Sequence, residues 1–92
     1  MSLKDQITED MKTAMRAKDS ERLGTIRLLL AAAKQKEVDE RVVIDDPMMI
    51  AIVDKLIKQR KDSIAAFTLA ERMDLADKEA AEIKVLEVYL PQ

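Results

Sequence analysis

Charged side chains standing in apolar phase are the residues of this chain best placed for chemistry. At about 100° per residue, Arg60 falls between Val53, Ile57, Ile64 and Phe67, away from Lys55, Lys58 and Asp62. Arg27 and Lys34 fall in the stripe of Leu23 and Leu30, while Glu79 shares the phase of Leu75, Ile83, Leu86 and Leu90, with Glu82 beside it. An ion taken into a core costs several kcal/mol unless it pairs or reaches water. Opposite charges pointed inward from different helices therefore predict contact, with Glu79 and Glu82 bonding Arg60 or Arg27. Arginine suits this, because its planar fork meets a carboxylate with two hydrogen bonds. Two uses stay open for the set: an ion pair that fixes packing, and a groove that offers these groups to a ligand.

A second set, Lys55, Lys58, Lys61 and Arg72, is the candidate basic surface. Residues 47–73 carry five bases against three acids, whereas residues 74–92 carry two bases against five acids. That asymmetry predicts the third helix beside the fourth. The whole chain has a formal charge of −2, which is not the footprint of an autonomous nucleic-acid binder. The four bases fit phosphates of a backbone held mainly by another domain. Phe67 and Tyr89 read as core or linker residues, so they form no stacking platform.

Covalent catalysis finds no support. Cysteine and histidine are absent and there is one glycine, so thiolate nucleophiles, disulfides and glycine-rich phosphate loops are excluded. Ser63 lies mid-helix beside Asp62 without an identifiable base. The pairs Asp45-Asp46 and Glu79/Glu82 are better explained by helix capping and salt bridging than by a metal. No cofactor is implied.

These side chains need helices to position them. Ninety-two residues make one domain, with 48% hydrophobic and 37% charged residues and almost no turn material beyond two prolines. An all-α, four-helix bundle-like domain is expected. Ser2 caps a first helix to about Lys18, with Leu3, Ile7, Met11, Ala14 and Met15 on one side. A second, central helix runs from about Glu21 to Glu40 on Leu23, Ile26, Leu30, Ala33 and Val38, with Leu28 and Leu29 broadening the stripe and Gly24 marking close approach of the first helix. Val42-Val43-Ile44 reads as an extended loop tucked under the helices. Asp46 caps a third helix with Pro47 in its first turn, ending near Ala70 or Glu71, and Asp74 caps a fourth from Leu75 to about Leu90. The first residues lack an apolar h-region, and no run approaches the ~18 residues of a membrane span. A bacterial, cytoplasmic address is expected.

Arg27-Leu28-Leu29 with Lys34, then Lys58-Gln59-Arg60 with Ser63, Phe67 and Arg72, then Asp74-Leu75, Glu79, Glu82, Leu86 and Tyr89-Leu90-Pro91-Gln92, together resemble the amino-terminal half of YqeY-like proteins. The resemblance covers the whole chain. It implies a domain over residues 1–90, with 91–92 opening a linker to a second helical subdomain related to the tail of the tRNA-dependent Asp/Glu amidotransferase B subunit. It further implies a non-catalytic helical module assisting tRNA-dependent amidation, with tRNA or an amidotransferase complex as partner. Two alternatives accompany it: a protein-interaction module self-associating through Leu28 or Leu29 and Val42-Val43-Ile44, and a carbon–nitrogen ligase using glutamine as amido donor. Glu71 stands where members of the family often carry glycine, so the third helix lacks its usual stop.

Overall fold

The computed structural model describes residues 2–91. Four helices follow one another: α1 Leu3–Arg16, α2 Ser20–Glu40, α3 Asp46–Leu69 and α4 Met73–Glu87. No strand occurs among the described residues. α3 packs along α4, α1 packs along α2, and α2 touches all three other helices. Ile7 and Ala14 of α1, Ile26, Leu29 and Ala33 of α2, Met49, Ile52, Val53 and Ile57 of α3, and Leu86 of α4 form one buried cluster with Ile44 and Tyr89. The cluster takes only the first half of α3. Ile64 and Phe67 are half-buried, and Leu69 and Met73 at the α3–α4 turn are exposed.

The helix starts differ from the expected caps in two places. Asp45, not Asp46, caps α3, accepting the Met48 N–H at 3.0 Å. Asp46 turns its carboxylate to the Leu3 N–H at 2.9 Å, so the two adjacent acids each serve the start of a different helix. α4 begins at Met73 with Arg72 at its cap position and no side-chain cap bond, while Asp74 lies inside the first turn. Asp74 is bonded instead by Arg72 through two 3.2 Å contacts, and that guanidinium holds its carboxyl below the ordinary value.

Glu71 does stop α3. It takes the left-handed conformation at φ 59°, the Arg72 N–H reaches the Phe67 carbonyl at 2.8 Å, and the Glu71 N–H reaches that of Thr68. This is the double bond of a glycine-type helix terminus formed without glycine. Lys18 does the same after α1 at φ 57°, with Asp19 donating to Ala14 and Lys18 to Met15. Arg41 ends α2 at φ 54°. α4 stops at Glu87, three residues short of Leu90, because its last bonds tighten from Tyr89 to Leu86 and Leu90 to Glu87. That tightening carries Tyr89 back over the bundle.

Candidate functional site

Arg60 sits where the buried cluster ends, between α3 and α4. Its side chain is 13% exposed, against 23% for Glu79 and 16% for Glu82, and its Nε lies 4.0 Å and 3.7 Å from their carboxylates. These are ion-pair distances without hydrogen bonds. Nε has no hydrogen-bond partner among the described residues, and the guanidinium donates through Nη1 to the Leu56 carbonyl of its own helix at 3.1 Å. The two-bond fork expected from arginine is therefore not made. Two carboxylates share one cation, and burial pushes the Glu82 carboxyl up, opposed by Arg60 and reinforced by Glu79. The cluster packs helix against helix.

Arg27 and Lys34 depart from the inward placement expected of them. Both are exposed, because the buried face of α2 runs through Thr25, Ile26, Leu29 and Ala33 and turns this pair outward. Leu28, which seemed to widen the apolar stripe, is 49% exposed. Gly24 marks no close approach: a Cβ there would meet nothing within 4 Å. Of the segments expected to drive self-association, Leu29 and Ile44 are buried in the core, which leaves Leu28 and Val43 exposed.

Lys55, Lys58, Lys61 and Arg72 are all exposed. Lys58 reaches Asp54 on the same helix at 3.8 Å, and Arg72 is engaged by Asp74. No ion pair engages Lys55 or Lys61 among the described residues. The three lysines, spaced by three residues, form a diagonal across the outer face of α3. Asp54 and Asp62 interrupt it.

Two shallow grooves follow one flank of α2. The first, about 460 Å³, lies against α4 between Gly24, Thr25 and Leu28 on one wall and Ala81, Glu82 and Val85 on the other. The second, about 490 Å³, lies against α3 and is walled by Ala32, Gln35 and Asp39 opposite Ile52, Lys55 and Leu56. Among the described residues no group of three acidic side chains is arranged to hold a metal. Ser63 is half-buried, and its hydroxyl enters no hydrogen bond among the described residues.

Sequence reasoning missed the strongest tie between the chain's ends. The buried Tyr89 donates its hydroxyl to Asp10 Oδ2 at 2.5 Å, and burial followed by that carboxylate pushes the phenol far above its ordinary value. A polar tip on an otherwise apolar carboxy-terminal segment was the available signal, but it names no partner 79 residues away. Lys4 bonding the half-buried Glu37 at 3.0 Å, from α1 to α2, was equally hidden.

The Yqey-like protein family model matches residues 4–92. Similar proteins include the "Altered inheritance of mitochondria protein 41, mitochondrial" of Kluyveromyces lactis, 48% identical over 84 residues, covering 90% of this chain and 45% of the relative. The protein of that name from Vanderwaltozyma polyspora is 42% identical over 85 residues, 91% of this chain and 46% of the relative. In Saccharomyces cerevisiae it is 39% identical over 84 residues, 90% of this chain and 45% of the relative. The chain thus spans just under half the length of these relatives. They are yeast proteins with a mitochondrial name, which overturns the expected bacterial, cytoplasmic setting. Acidic charge and missing cysteine fit every reducing compartment alike, so neither signal discriminated among them.

Proposed function

This chain belongs to the YqeY-like family, and we propose that it serves as a non-catalytic helical module in tRNA-dependent amidation, touching tRNA through the outer face of α3. The likeness to the amidotransferase B-subunit tail suggests the process. The observation that carries the contact is the diagonal of Lys55, Lys58 and Lys61, with Arg72 exposed beyond the end of the helix, all open to solvent. Their spacing suits successive phosphates and has no means of reading bases. Asp54 and Asp62 lower the field of the patch, so binding by this domain is weak and depends steeply on salt. The non-catalytic part rests on side-chain chemistry. No cysteine or histidine is present, and Ser63 has neither a base nor a pair of donors aimed at a reacting atom.

Titrating fluorescent tRNA with this chain at several salt concentrations tests the contact. The expected log affinity falls linearly with log salt, and Lys58→Glu with Lys61→Glu weakens binding at every salt. Lys12→Glu with Arg16→Glu, both exposed on α1, is the control, since it changes the net charge by the same amount. Equal binding by the double variant and the control sinks the α3 surface. Release of ammonia from glutamine by the purified chain sinks the non-catalytic assignment.

A further inference from the structure

The face of α2 turned away from the core carries apolar or small residues, broken by one glutamine, at alternating four- and three-residue steps: Gly24, Leu28, Ala31, Gln35 and Val38. Every one of these positions is exposed, Leu28 by 49% and Val38 by 60%. This is the spacing of a coiled-coil seam, presented by a helix whose opposite face already serves the core. Gly24 belongs to it. Glycine inside a helix is unfavourable, and within this fold nothing approaches the space beside it.

We propose that two copies of this chain pair through this seam, with their α2 helices parallel. Charge selects both the occupant and the orientation. One edge of the seam carries Arg27 and Lys34, and no ion pair engages either among the described residues. The other edge carries Thr25, Ala32 and Asp39, where the two grooves against α4 and α3 begin. Parallel helices set the basic edge of one copy against the other edge of its mate, so Lys34 meets Asp39 twice per dimer. Antiparallel helices set Arg27 and Lys34 against themselves, and the like charges repel. The grooves leave room for the partner's long basic side chains. Gln35, bonded to Asp39 at 2.8 Å, is the polar member that fixes register. Gly24 to Val38 spans about 21 Å at 1.5 Å per residue, two heptads, so the dimer is weak and concentration-dependent. This pairing is independent of the tRNA contact, which uses α3.

Sedimentation equilibrium of the full chain tests it. A reversible monomer–dimer equilibrium is expected, abolished by Leu28→Glu with the far-ultraviolet circular dichroism unchanged. Lys34→Glu and Asp39→Lys each weaken dimerisation about tenfold from the two pairs lost and the repulsion introduced, and together they restore it. The chain has no cysteine, so Val38→Cys supplies a single thiol. It cross-links under oxidation only if the helices run parallel, since an antiparallel seam packs the two alternating positions against each other and places Val38 against Leu28. A monomer at all concentrations up to about 1 mM overturns the proposal and leaves the seam to another protein's helix. Failure of the charge swap to restore association, or of Val38→Cys to cross-link, also overturns it.

Discussion

Replacing Arg60 by methionine keeps most of the stem that packs between α3 and α4 and removes the cation facing Glu79 and Glu82. At 3.7 Å and 4.0 Å, each attraction amounts to ~4 kcal/mol at an effective dielectric constant near 20. Desolvation of the three ions offsets most of that sum, and the remaining exposure of 13–23% lets water take up part of the rest. A net loss of about 2–3 kcal/mol at pH 7 is expected, below the range for fully buried pairs and above that of surface pairs. The variant leaves two half-buried carboxylates without the charge they share. Glu82 already binds its proton more tightly in the folded chain than in the unfolded one. Loss of Arg60 strengthens that preference, so protonation favours the folded variant more than the folded parent. The penalty should therefore shrink as pH falls through the folded value of Glu82 toward the ordinary glutamate range. Urea unfolding followed by circular dichroism at pH 7 and about pH 4.5 measures it. Replacing the trio together, Arg60→Met with Glu79→Leu and Glu82→Met, should return stability to within ~1 kcal/mol of the parent. A loss below about 0.5 kcal/mol at pH 7, or one equal at both pH values, refutes the electrostatic account.

Glu71→Gly, at a left-handed helix terminus, should raise stability by about 1 kcal/mol and the melting temperature by ~4–8 °C, measured by a thermal scan against Glu71→Ala. Gly24→Ala should stabilise the chain by about 1 kcal/mol in chemical unfolding, since its methyl group meets empty space; a loss instead would mean that another helix passes close by. Tyr89→Phe should cost about 1–2 kcal/mol by stranding Asp10. In the parent, absorbance near the phenolate band should stay flat through the normal tyrosine range, because the folded-state pKa is raised. The stability that this phenol contributes is complete below its unfolded value, falls progressively as pH rises above it, and is gone once strongly alkaline pH ionises the folded phenol.

The number of helices, their order and their approximate limits follow from the chain alone. Apolar residues recur with helical period, and Ser2 and the Asp45-Asp46-Pro47 run mark two of the helix starts. The inward phase of Arg60, Glu79 and Glu82 was legible for the same reason. Phase identifies the buried side of a helix only when one neighbour defines it. On α2, where partners lie on several sides, the apolar residues extend almost around the helix, and Arg27, Lys34 and Leu28 were assigned to the wrong face. Tertiary contact alone settled that, along with the division of labour between Asp45 and Asp46 and the bond from Tyr89 to Asp10. Glu71 teaches the same lesson about termini. Conformational preference sets an energy of about 1 kcal/mol, and packing of α3 on α4 is large enough to overrule it.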